Sequence, residues 1–215
     1  EFAQKHKLRV IEDAAHAMGG RYEGELIGSF GDIQVFSFHP CKNMTTAEGG
    51  CIVTRDDAIA TRIKTLRFHG IDRDAFNRYA KGGSEGYDVI EAGYKYNLSD
   101  LQATLGLYQL KELDTMNKRR RELTSRYRLK LKNMPGLSLP GQEDKDNDHA
   151  WHIFTILVDK PRQDVVKALK EQDIGTGHHY PAPHLYTYYR RKYHWDETSF
   201  PKAKYVGDSI ISLPL

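Results

Sequence analysis

Two cysteines in 215 residues are too few for a disulfide framework, and Cys41 and Cys51 do not stand at a metal-binding spacing. A reducing, cytoplasmic setting is expected. No run of apolar residues approaches the roughly 18 that a membrane span requires. The opening EFAQKHKLRVIED has no apolar stretch before a cleavage site, so it does not read as a signal peptide. Charge of one sign is also scarce: 32 basic against 29 acidic residues leave a formal net charge of +3, too little to call for nucleic acid. No internal repeat and no low-complexity segment is present. The balance of 39% hydrophobic and 28% charged residues is that of an ordinary globular chain, long enough for one large domain or two small ones. The first residues read as the end of a helix running into a buried strand, and DSIISLPL finishes on an apolar run. Both ends are expected to be cut from something larger.

Leu8 to Glu12 is a short apolar run that predicts a buried strand delivering Asp13 at its C-terminal end. IGSFGD is turn material. Ile33 to Phe38 alternates and is rich in β-formers, predicting a second strand, and GGCIVTRDD predicts a third. The loop FHPCKNMTTAEGG, with Lys42, therefore joins two strands. Asp56 to Arg67 predicts a helix with acid at its start and base at its end. Residues 70 to 92, with KGGSEG, predict a long surface loop. Ser99 caps a long helix, about 99–133, on which Leu101, Leu105, Tyr108 and Leu113 recur at helical spacing until Pro135 and Gly136. His152 to Val158 predicts a strand and Gln163 to Gln172 a helix. A boundary near the middle of the long helix follows, with residues 1–115 in one domain and 116–215 in a smaller α+β domain.

An acid at a strand end, followed twenty-nine residues later by a loop lysine, is the pair that pyridoxal phosphate chemistry needs. The carboxylate keeps a pyridine nitrogen protonated so that the ring can absorb carbanion charge. The lysine holds the cofactor covalently and then moves a proton. Spacing alone is a weak signal. The strings IEDAAHA, GDIQVFSFHPCKNMTTAEGG and GYKYNLSDLQATLGLYQLKELD, in this order, are not. They resemble the DegT/DnrJ/StrS family of sugar aminotransferases, and HHYPAPHLYTYYRRKY and SIISLPL extend the resemblance, more loosely, over almost the whole chain.

The resemblance implies an α/β fold of fold-type I: the C-terminal part of a large mixed-sheet domain that binds pyridoxal 5'-phosphate, then the smaller α+β domain. It implies transamination of a nucleotide-linked keto-sugar in envelope or polysaccharide synthesis, with glutamate as donor, in a homodimer with shared active sites. By the same resemblance Asp13 pairs with the pyridine nitrogen, His16 sits against the ring or its 3-hydroxyl, Ser37 holds the phosphate with His39 close by, and Lys42 is the Schiff-base lysine. Asn97 reaches a phosphate in the partner subunit's site, and His179 and His184 lie near the sugar or its diphosphate. Cys41 stands where small residues are usual, as a packing variant or a group of some redox role. The family's phosphate-cradling turn and ring-stacking aromatic do not precede EFAQKHK, so these 215 residues alone are expected to bind the cofactor poorly and to be inactive.

Rival readings are a non-catalytic homologue that keeps the fold and a dehydratase or epimerase on the same scaffold. Family dehydratases replace the lysine by histidine, and Lys42 favours transamination. HHYPAPH has no zinc spacing and no acid or cysteine nearby, so no metal is expected. KRRRELTSRYRLKLK carries Leu123, Tyr127 and Leu131 at buried-face spacing, which makes its basic residues a solvated helix face rather than a nucleic-acid site.

Overall fold

The computed structural model describes residues 1–72, 87–141 and 147–215. The chain divides into two compact units. One is Glu1–Met116 with Asp146–Ala150; the other is Asn117–Lys145 with Trp151–Leu215.

After a short helix α1 (Phe2–Lys5), the first unit is built on a three-stranded sheet of β1 (Ile11–Asp13), β4 (Ile33–Ser37) and β5 (Gly50–Thr54), in the order β1-β4-β5. β1 and β4 run parallel, with Asp13 opposite Val35, and β4 and β5 antiparallel, with Ser37 opposite Gly50. β1 begins three residues later than the apolar run predicts. The backbone N–H of Val10 instead donates to the Asp32 carboxylate at 3.1 Å, so the chain joins the ladder only at Ile11. Alternation decides the two faces of the sheet. Phe36 is buried with Ala14, Phe38, Met44 and Leu113 in the first core, while Val35 and Ser37 share the opposite face with Asp13. Gln34 is also buried, with its amide N–H groups donating to the Glu12 carboxylate at 2.6 Å and the Phe30 carbonyl at 2.7 Å.

β2 (Arg21–Tyr22) and β3 (Glu25–Leu26) form a hairpin through Glu23 and Gly24, both at positive φ. Asp148 pairs with Arg21 through two backbone hydrogen bonds, and the Glu23 N–H donates to Asn147. These bonds tie Asn147 and Asp148 to the hairpin of the first unit. Helix α2 (Asp57–Leu66) starts at Asp56, whose carboxylate accepts from the N–H groups of Ala58 and Ile59.

Helix α3 (Asp100–Leu131) begins with a reciprocal cap. The Ser99 N–H donates to Gln102 Oε1 at 3.0 Å, and the Gln102 N–H donates to Ser99 Oγ at 3.4 Å. The helical period is as expected, yet its apolar side chains are not one buried stripe: Leu113 is 6% exposed and Leu101 86%. Leu105 and Tyr108 are exposed too. Of the expected 70–92 loop, residues 73–86 lie outside the described residues.

In the second unit β6 (Leu137–Ser138), β7 (Phe154–Val158) and β8 (Ile210–Leu213) form an antiparallel sheet in the order β6-β7-β8. Phe154, Ile156 and Val158 alternate inward and bury with Trp151 and Ile211. Tyr127 and Leu131 of α3 pack on this core, Tyr127 stacking on Phe154 at 5.1 Å between ring centres. α4 (Arg162–Lys170) contributes Val165 and Val166 to the same core, and α5 (Thr187–Tyr193) and α6 (Pro201–Ser209) follow. The terminal apolar run is thus the third strand of this sheet.

Candidate active site

Asp13 is the last residue of β1 and Ser37 the last of β4. The two strands are parallel, so both side chains stand on one sheet face at the strands' C-terminal ends. The Asp13 carboxylate is oriented by the N–H of Ala15, which donates to Oδ1 at 3.0 Å. His16 lies half-buried on the turn that follows. Ser37 Oγ accepts from the His39 N–H at 3.3 Å, and the Lys42 N–H donates to the His39 carbonyl at 2.9 Å, which curls the chain after β4 into a tight bend. Lys42 is half-buried, and no carboxylate among the described residues pairs with its ammonium.

The rest of this loop is anchored by side chains that motif reading did not single out. Phe38 and Gly49 are joined by a 2.8 Å backbone bond, and the Thr46 N–H returns to the Phe38 carbonyl at 3.0 Å. Asn43 is buried and donates to the Ala150 carbonyl at 2.6 Å. Thr46 is 1% exposed, with Oγ1 donating to the Glu48 carbonyl at 2.7 Å. Helix α3 packs against the loop at Gly106, where a Cβ would come within 2.9 Å of the Thr46 methyl. Its Gln102 donates to the Glu48 carbonyl at 2.8 Å, and its Gln109 accepts from the Thr45 N–H at 3.4 Å. The Ser-x-x-Gln spacing before α3 was the one sequence signal that could have pointed to Gln102. The glycine pair closing the loop has a steric reason: a Cβ on Gly50 would lie 2.6 Å from the Phe36 carbonyl oxygen, and Gly49 has φ +151°.

Asp13, Ser37, His39 and Lys42 are therefore brought to one end of one sheet. Asn97 is half-buried just before the α3 cap. His179 and His184 belong to the second unit. His179 Nδ1 is 2.7 Å from Ser212 Oγ. His184 is buried against the Phe200 ring, and its Nε2 has no hydrogen-bond partner among the described residues. In the same unit Thr187, Arg190, Arg191, His194 and Trp195 line an open cavity of about 500 Å³, with no acid among the described residues of its wall. No group of His, Cys, Asp and Glu suited to a metal ion occurs among the described residues, and no helix there is long and apolar enough to cross a membrane.

The model of the DegT/DnrJ/EryC1/StrS aminotransferase family matches residues 1–215. The chain belongs to that family. SpsC of Bacillus subtilis, a spore coat polysaccharide biosynthesis protein, is 43% identical over 219 residues, which cover 99% of this chain and 56% of SpsC. The structure of DesV from S. venezuelae, solved in complex with a ketimine intermediate, superposes with a TM-score of 0.87 at 34% identity, covering 99% of this chain and 54% of DesV. Spr1654 of Streptococcus pneumoniae, a putative sugar aminotransferase, superposes in its pyridoxamine phosphate form with a TM-score of 0.86 at 28% identity, over 100% of this chain and 54% of Spr1654. Spr1654 is also known in its pyridoxal phosphate form. The fold is that of the pyridoxal phosphate-dependent sugar aminotransferases. The chain spans about half the length of the relatives it matches.

Proposed function

We propose that the protein is a pyridoxal phosphate-dependent aminotransferase that aminates a nucleotide-linked keto-sugar, with glutamate as amino donor, in polysaccharide biosynthesis. The observation that carries the reading is the placement of Lys42: half-buried, without a carboxylate partner among the described residues, on a bend that starts where Asp13 and Ser37 end two parallel strands.

These residues fit the cofactor chemically. Asp13 is held by the Ala15 N–H in a fixed orientation, as a group that must keep a proton on a ring nitrogen should be. Ser37 offers a hydroxyl donor for a phosphate oxygen. Lys42 offers an amine to hold the cofactor covalently and to carry a proton to and from the reacting carbon. Bound pyridoxal phosphate supplies the electron sink that makes such a proton transfer feasible. His16 and His39 sit beside these groups in sequence and complete this half of the site. Lysine rather than histidine at position 42 favours transamination over dehydration.

His179 and His184, with the acid-free cavity at Arg190 and Arg191, are the substrate side of the proposal, their chemistry suited to a sugar diphosphate. Two copies sharing sites through Asn97 is part of the same reading, as is a cytoplasmic location. Borohydride reduction of the full natural chain with pyridoxal phosphate, followed by peptide mapping, tests it. Label on the Lys42 peptide, absent in Lys42→Ala, is expected, together with loss of the cofactor's visible absorption on adding glutamate. Label elsewhere, or no response to glutamate, refutes the proposal.

A further inference from the structure

The loop that carries Lys42 also brings a thiol, an imidazole and a carboxylate together. Cys41 is exposed, and its Sγ lies 3.0 Å from Nδ1 of His39. The Cys41 backbone N–H points at the same nitrogen at 3.3 Å. A backbone N–H can only donate, so Nδ1 is an acceptor and the ring proton resides on Nε2. Nε2 faces the Glu48 carboxylate at 3.9 Å. The thiol is therefore the donor to Nδ1, and an imidazolium formed there has a carboxylate at its other nitrogen. The backbone bonds from Phe38 to Gly49 and from Thr46 to Phe38 close the loop and bring Glu48 back to His39.

We propose that Cys41 is a reactive thiol, with His39 as its base and Glu48 as the acid that steadies the imidazolium, and that it takes small disulfides as a modification site beside Lys42. His39 Nδ1 accepts the thiol proton while Cys41 Sγ attacks one sulfur of the disulfide. The disulfide's S–S bond breaks, a new S–S bond forms to Cys41, and the other half departs as a thiolate. Cys41 is oxidised and the small disulfide is the oxidant; a free thiol reverses the step. The group added stands one residue from Lys42. Blocking of cofactor attachment by it rests on the function proposed above; the thiol chemistry does not.

The chain contains its own reference. Cys51 is half-buried on β5, and burial pushes its thiol above the ordinary range, so it is the slow cysteine. The test is reaction of the full chain with 5,5'-dithiobis(2-nitrobenzoate), with mapping of the labelled peptides. Cys41 should be labelled well ahead of Cys51, and Cys41→Ser should remove the fast phase. His39→Gln should slow Cys41 by about tenfold or more, with Glu48→Gln giving a smaller loss, while Cys51 stays slow in both. An unchanged Cys51 phase shows that the variants remain folded. If His39→Gln unfolds the chain, Glu48→Gln decides, through the smaller slowing of Cys41 expected of it. Labelling of Cys41 at the Cys51 rate, or a Cys41 rate unchanged by Glu48→Gln, overturns the proposal. If the thiol behaves as expected while borohydride fails to label Lys42, the thiol site stands and the aminotransferase reading falls.

Discussion

Gln102 joins the first turn of α3 to the end of the lysine loop. Its Oε1 accepts from the Ser99 N–H at 3.0 Å and its Nε2 donates to the Glu48 carbonyl at 2.8 Å. One amide thus caps a helix and holds the segment that carries Lys42, so helix stability and loop position depend on the same residue.

Gln102→Ala should lose both bonds and cost about 1–2 kcal/mol in urea denaturation. Gln102→Glu keeps the capping acceptor but removes the amide donor, so it should lose less stability while loosening the loop, read as faster amide exchange at Glu48 and Gly49. Equal stability of the alanine variant and the natural chain would show that neither bond matters.

At Gly50 the constraint is steric. A Cβ would meet the Phe36 carbonyl oxygen at 2.6 Å, and a backbone atom cannot swing aside. Gly50→Ala should destabilise by about 1–3 kcal/mol. Gly141→Ala is the control, because nothing among the described residues lies within 4 Å of its Cβ and its φ is not positive. A Gly50→Ala variant as stable as that control contradicts the geometry.

Burial rather than residue type should set the cost of leucine truncation along α3. Leu113 is 6% exposed, in the first core, and Leu129 is 81% exposed. Leu113→Ala should cost about 2–4 kcal/mol, and Leu129→Ala should stay within about 0.5 kcal/mol. The check is the shift of the denaturation midpoint; similar shifts in both variants would be the wrong result.

Asp56 gives a pH dependence of known sign. Its carboxyl is held below the ordinary aspartate range, first by the Ile59 N–H, with help from the Ala58 N–H and from Arg9, against some desolvation. A depressed pKa in the folded state means that its contribution is complete above the unfolded value of about 3.9 and fades as pH falls through the folded one. Asp56→Asn keeps a capping oxygen but no charge. Its stability deficit should be largest near about pH 6 and shrink towards about pH 3. A deficit that does not change with acid would mean that the charge contributes nothing.

Much of the site could be read directly because it is local. Asp13 ends a strand that its apolar neighbours predict, and Lys42 sits between two alternating segments, so each residue's place follows from the few residues around it. The cap at Ser99 and the helical period of α3 are local in the same sense. Motif reading passed over Asn43, Thr46 and Gln109. Asn43 finds Ala150 across 107 residues and Thr45 finds Gln109 across 64, and nothing near either in sequence marks the pairing.

What the sequence determined by itself was the family, through an acid, a hydroxyl and a lysine in strings specific enough to place the chain in it. It also determined most element positions, since alternation and capping act over a few residues. Only the tertiary structure decided which apolar residues of α3 are buried, because that depends on what packs against each turn. Leu101 and Leu113 belong to one helical pattern, yet only Leu113 meets the first core. The structure also decided that Asp13 and Ser37 share a face, through the parallel register of β1 and β4, and that His39, Cys41 and Glu48 come together. The reason is the same in each case: strand register and loop closure are set by hydrogen bonds between residues distant in the chain.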